Sequence, residues 1–343
     1  MNKLTLTAAI CAVLITQPVF AKKKSEPAPP KPTPYASTYQ AMPSAPVLLQ
    51  NATILTGTGE RLEATDALLQ DGKIQALGKG LTAPSGAQII NATGKWITPG
   101  IIDIHSHLGV YASPGVNATS DGNEATNPVT AHVWAEHSVW PQDAGFAKAL
   151  AGGITSLQIL PGSANLVGGR SVILKNIYSN TVQGMKFPNA PYGIKMACGE
   201  NPKRVYGEKG GPSTRMGNMA GYRAAFIEAA AYRKKWDVYE QGGRKGDAPD
   251  QDLANDTLAG VLRGDITVNI HCYRADEMVQ MIDMSKEFGF QISSFHHGIE
   301  AYKIADTLAQ EKICGALWAD WWGFKMEAYD GIEENIALVD RTQ

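Results

Sequence analysis

The chain has 343 residues, a formal net charge of −2, 44% hydrophobic residues and 19% charged residues. These values suit a globular enzyme and exclude the basic surface that nucleic-acid binding requires. The length allows one barrel of about 250 residues beside a smaller unit.

The chain opens with Met1-Asn2-Lys3, a short positive start, followed by a mostly apolar run to Val19. Val19-Phe20-Ala21 offers small residues at the −3 and −1 positions of a cleavage site, so residues 1–21 read as a secretory signal. The apolar run is too short and mixed for a membrane span, and the expected destination is periplasmic or secreted. Cleavage leaves Cys198, Cys272 and Cys314, an odd number without a CxxC spacing. Cys198 and Cys272 are therefore expected to be small buried residues near the site rather than zinc ligands. Residues 22–46 are rich in lysine and proline and read as an extended or disordered tether.

From Val47 the pattern becomes short strands and turns. Gln70-Asp71-Gly72 between two apolar runs signals a hairpin. Residues 47–98 are expected to form a small β-sandwich-like domain. After Pro99, strands alternate with helices, the signature of a parallel sheet. Predicted strands are 100–104, 154–160, 171–174, 193–197, 266–270, 291–295 and 313–319. Predicted helices are 143–150, 220–235, 251–262, 275–288 and 300–309. Met278 and Ile282 recur at helical spacing in the fourth of these helices and are expected in the core. The fold class is α/β, a TIM-type (β/α)8 barrel spanning residues 99–343. Seven strands are counted where a closed barrel needs eight. The expectation is a truncated chain whose last strand is missing.

Chemistry concentrates at strand ends. Ile97-Thr98-Pro99-Gly100-Ile101-Ile102-Asp103-Ile104-His105-Ser106-His107 is an apolar strand ending in two histidines one residue apart. Residues i and i+2 of a strand face the same side, so both imidazoles enter one space. Neutral imidazole is the commonest ligand for zinc-like metals. His271 ends a β-branched run, and His296 and His297 end another, followed by Gly298. Glu200 and Lys195 belong to Gly193-Ile194-Lys195-Met196-Ala197-Cys198-Gly199-Glu200. If the strands are parallel members of one barrel, all these ends open on one rim.

These segments resemble the amidohydrolase superfamily, in the branch around imidazolonepropionase and related cyclic-amide and dipeptide hydrolases. The small β unit followed by the His105-x-His107 strand is similar to that superfamily's entry into its barrel. Ser294-Phe295-His296-His297-Gly298 resembles its later histidine-glycine strand end. The resemblance implies a secreted, metal-dependent hydrolase of C–N bonds in amides or cyclic amides, using one or two divalent ions, with zinc expected. His105, His107, His271 and His297 would be ligands, His297 being preferred to its neighbour His296. A bridging group would be Glu200, with Lys195, in carboxylated form, as the alternative. A metal-activated water would attack the carbonyl while an aspartate takes the proton. His271 is also a candidate to polarise that carbonyl. Asp320 is the sole candidate for the base, and the true base is expected beyond Gln343, leaving this chain inactive if truncated. Alternatives are a catalytically silent ligand-binding relative and a deacetylase- or dipeptidase-type metallohydrolase. The expected partner is a small amide-type molecule, and an oligomer is compatible with the sequence.

Weaker features have structural readings. Asn165-Leu166-Val167-Gly168-Gly169-Arg170 lacks phosphate-loop spacing and is expected to be a tight turn. His132 and His137, five apart, are poorly spaced to share a metal. Trp318, Trp321, Trp322 and Phe324 surround Asp320 and suit either an apolar pocket or packing of the rim.

Overall fold

The computed structural model describes residues 35–342, so the expected signal (1–21) and the first part of the tether lie outside the described residues. Residues 35–46 are extended but docked. Ser37 Oγ donates to Lys186 O at 2.7 Å, Thr38 N donates to Gln183 O at 2.9 Å, and the Tyr35 ring packs on Trp134 and His137. Backbone pairing and one aromatic anchor suffice to hold a segment that composition alone marks as a linker.

Five strands follow: β1 (Val47–Leu55), β2 (Arg61–Gln70), β3 (Lys73–Gly78), β4 (Gln88–Asn91) and β5 (Trp96–Ile97). Asp71 (φ +53°) and Gly72 (φ +70°) turn β2 into β3, the left-handed pair that a tight hairpin requires. The strand order is β3-β2-β1-β4, with β5 also pairing β1. The described residues thus form one sheet around Ala52, Ile54, Ala67 and Ala92, not the expected sandwich.

The second sheet contains β6 (Ile101–Ser106), β7 (Ile154–Ile159), β8 (Val167–Lys175), β9 (Gly193–Ala197), β10 (Thr267–His271), β11 (Ile292–His296) and β12 (Cys314–Ala316), in the order β12-β11-β10-β9-β8-β7-β6. Helix α1 (Ala144–Ala151) precedes β7, and α2 (Val182–Met185) precedes β9. Three helices, α3 (Glu200–Tyr206), α4 (Arg215–Gln241) and α5 (Leu253–Arg263), link β9 to β10. Helix α6 (Ala275–Phe288) links β10 to β11, α7 (Ala305–Gln310) precedes β12, and α8 (Asn335–Asp340) follows it. Met278, Met281 and Ile282 of α6 are buried with Val268, Ile270 and Phe295, as their spacing predicts.

One predicted barrel strand runs the wrong way. β8 is antiparallel to both β7 and β9, whereas β6–β7 and β9 through β12 pair in parallel. Only residues 160–166 join β7 to β8, too few for the crossover that a parallel return needs. Asn165–Arg170 therefore opens β8 instead of forming an isolated turn. The last predicted strand is also shorter than expected, ending at Ala316. β6 and β12 are the two edges, and Ile101, Ile102 and Ile104 of β6 are exposed.

Candidate metal centre

The carboxyl ends of β6, β9, β10 and β11 bring six side chains together: His105, His107, Lys195, His271, His296 and His297. His105 lies with its ring centroid 5.0 Å from His107, 4.8 Å from His296 and 5.1 Å from His297. His271 and His297 are 4.4 Å apart by the same measure. The convergence expected from three separate strand ends is what the chain folds into.

Each ring has a distinct set of partners. His107 Nδ1 lies 2.7 Å from Leu160 O, a carbonyl that can only accept, so this nitrogen carries the proton. His105 Nδ1 lies 2.7 Å from His296 Nδ1, and His271 Nδ1 lies 3.3 Å from His297 Nε2. His296 Nε2 contacts Ser294 Oγ at 2.8 Å and Asn269 Oδ1 at 3.3 Å. His271 Nε2 and His297 Nδ1 are buried without a hydrogen-bond partner. Both His296 and His297 face the cluster, although neighbours on a strand face opposite sides. The strand ends at His296, and His297 adopts φ +42°, which swings its ring back toward the rim.

Burial keeps the imidazoles neutral. Desolvation first, and the nearby Lys195 charge second, lower His107 to about 4 and His296 to about 3. The same two influences push His105 far below the ordinary imidazole range. His271 and His297 are also held well below it, burial again being the largest cause. Lys195 is fully buried, donates to Pro161 O at 3.1 Å, and is lowered by burial to about 7.

Two predicted site residues are not brought into the cluster. Glu200 starts α3 beyond Gly199 (φ +80°), and its carboxylate lies 3.6 Å from Lys325 Nζ. It joins a rim ladder in which Glu327 accepts from Glu200 N and Arg215, while Arg215 also pairs with Glu277. Lys195 is the group placed among the histidines, because its side chain leaves the interior face of β9 rather than the loop beyond. Asp320 lies in an exposed bend past β12. Trp318 takes the position near the rings instead, 5.2 Å from both His105 and His297, and Trp321 stacks on His297 at 5.5 Å. Among the described residues, no carboxylate hydrogen-bonds any of these five rings.

The sequence reading missed two parts of the site. Cys198 and Cys272 form a disulfide with Cα atoms 5.2 Å apart, leaving Cys314 free. Ala197 and His271 are register partners, so the cysteines that follow them meet across neighbouring strands. That signal was present, since both cysteines directly follow strands that pair with each other. The anchoring of His296 by Asn269 and Ser294 had no comparable signal.

Among the described residues, no three His, Cys, Asp or Glu side chains are gathered as a ready-made metal ligand set. The residues nevertheless fit such an ion. Two buried ring nitrogens lack partners, and His107 offers a bare Nε2 because its Nδ1–H is engaged.

Comparison with known proteins agrees with the geometry. The solved amidohydrolase of Thermotoga maritima MSB8 is 39% identical, with a TM-score of 0.80 over 86% of this chain and 76% of that one. Amidohydrolase tasK of Hapsidospora irregularis is 33% identical over 325 residues, covering 83% of this chain and 33% of that protein. A dihydroorotase of Pelobacter propionicus is 27% identical over 126 residues, 37% of this chain and 24% of that enzyme. No family model matches. The chain belongs to the amidohydrolase superfamily. It spans about a third, or less, of the length of these two curated relatives.

Proposed function

We propose that this chain forms the metal-binding part of a hydrolase that cleaves the C–N bond of a small amide or cyclic amide. The observation that carries the reading is the pair of neutral, buried imidazoles with unpartnered nitrogens at the carboxyl ends of β10 and β11, His271 and His297, beside the two histidines at the end of β6. His105, His107, His271 and His297 would hold the ion, with zinc as the expected metal. Such an ion supplies Lewis acidity that brings water's pKa to about 7 and polarises a carbonyl. Lys195, brought near 7, is about half free amine at neutral pH, the form that would add to carbon dioxide, losing a proton, to give a carbamate ligand. Trp318 and Trp321 cover the rings and limit their access to water. Asp320, exposed in a bend past β12, is not assigned the proton-accepting role. The Cys198–Cys272 disulfide supports a periplasmic or secreted location.

Metal analysis of the purified protein tests this reading. Wild-type protein is expected to retain zinc through gel filtration, and the His105→Ala/His107→Ala double variant to lose it. Equal metal content in the two would overturn the assignment.

A further inference from the structure

We propose that His296 is a positioning residue that fixes the tautomer of His105, and that Asn269 and Ser294 in turn fix His296. The proposal rests on the reading of His105 as a metal ligand, but the hydrogen-bond chain stands on its own geometry. It begins at Asn269, which is 3% exposed and sits on the interior face of β10. Ser294 Oγ donates to Asn269 Oδ1 at 3.0 Å, which commits the only proton of that hydroxyl. His296 Nε2 faces both the Ser294 oxygen at 2.8 Å and the Asn269 carbonyl oxygen at 3.3 Å. With no proton on this nitrogen, its lone pair would face the lone pairs of the amide oxygen. With the Asn269 amide oriented as in the structure, Oδ1 toward the ring and Nδ2 buried without a partner, Nε2 is the protonated nitrogen of His296, donating into the Ser294–Asn269 pair.

The consequence passes through the ring. A neutral imidazole protonated at Nε2 has a lone pair at Nδ1. His296 Nδ1 lies 2.7 Å from His105 Nδ1, and two nitrogens that close need one proton between them. His105 Nδ1 supplies it, which leaves His105 Nε2 bare. His107 reaches the same tautomer by a different route, through Leu160 O. Both histidines of the β6 end thus present Nε2 lone pairs, one set by a backbone carbonyl and the other by a relay two side chains deep. His296 contacts His105 while His297 contacts His271, so the adjacent histidines serve different partners.

The test uses the full chain labelled with 15N-histidine and freed of metal, read by long-range proton–nitrogen correlation at neutral pH. The expected result is a proton on Nε2 of His296 and on Nδ1 of His105 and His107. Asn269→Asp keeps an acceptor in place and should preserve this pattern, whereas Asn269→Leu and His296→Phe should let His105 shift to the Nε2-protonated form. Zinc affinity, measured by chelator competition, should fall by about 10- to 100-fold in those two variants and change little in Asn269→Asp. A proton on Nδ1 of His296 in the wild-type chain would overturn the proposal. So would an unchanged His105 tautomer in a folded His296→Phe variant. The tautomers of the metal-free protein decide the relay even if zinc does not bind, which would count against the metal reading alone.

Discussion

The two sides of the histidine cluster are built differently. At the β6 end, His105 and His107 each have Nδ1 held by a hydrogen bond of 2.7 Å. At the ends of β10 and β11, His271 and His297 face each other at 3.3 Å, and each keeps a nitrogen without a partner. β6 is an edge strand whose Ile102 is 67% exposed, whereas His271 and His297 are 2% and 4% exposed on interior strands. An edge offers little packing to hold a ring, so anchoring falls to directed hydrogen bonds. For His271 and His297 in the interior, close packing restricts rings whose one mutual contact is the longer 3.3 Å pair. Loss of packing should therefore disturb the β10–β11 side, and loss of a hydrogen-bond partner the β6 side.

The largest effect is expected from removing the disulfide that ties β9 to β10. Cys198 and Cys272 are 74 residues apart, and opening a loop of that size costs about 4 kcal/mol. Cys198→Ala/Cys272→Ala should lower Tm by about 6 °C. The nitrogen signals of His271 should broaden, while the Nδ1-protonated state of His107, held by Leu160 O on the far side, should persist. Equal disturbance of the two histidines would break the contrast.

Much of this arrangement was legible in the sequence. The pair His105-x-His107 declared its common face by strand periodicity, and His271 and His297 declared strand ends by the apolar runs before them. The Asp71-Gly72 hairpin was legible because its two left-handed residues have a distinctive chemistry. The direction of β8 was missed because apolar alternation carries no polarity, and only the short connection 160–166 does. Glu200 looked the better ligand because a carboxylate needs no modification. Burial reversed that preference by placing Lys195 on the interior face of β9 and lowering its basicity. The inward turn of His297 depends on one backbone angle, which the sequence does not display.

Lys195 belongs to the packed side and gives the next largest effect. It is buried with one hydrogen-bond partner, and its pKa falls from 10.5 to about 7. Between those two values the unfolded chain binds more protons than the folded one, so this residue makes stability rise with pH. Its contribution is complete above about 10.5 and is lost as pH falls toward 7. In metal-free protein, Lys195→Met should raise stability at pH 7.5 by about 3 kcal/mol and flatten the rise toward pH 10. A wild-type Tm that does not climb over this interval would show that the amine is solvated and the interior less dry than its burial implies.

Trp318 touches both sides, with its ring 5.2 Å from His105 and 5.2 Å from His297, and gives the smallest expected effect. Loss of these ring contacts through Trp318→Ala should cost about 1 kcal/mol, or about 1.5 °C in Tm. The two histidines should nevertheless respond differently. His297 keeps Trp321 and Tyr273 against its ring, so its surroundings change little. His105 loses the tryptophan but keeps His296 at Nδ1, so its signals should shift while its proton stays in place. That separation of environment from tautomer is what a hydrogen-bond anchor produces and a packing contact does not. If Trp318→Ala moved the His105 proton to Nε2, packing would be selecting the tautomer at the edge as well, and the two sides of the cluster would obey a single rule.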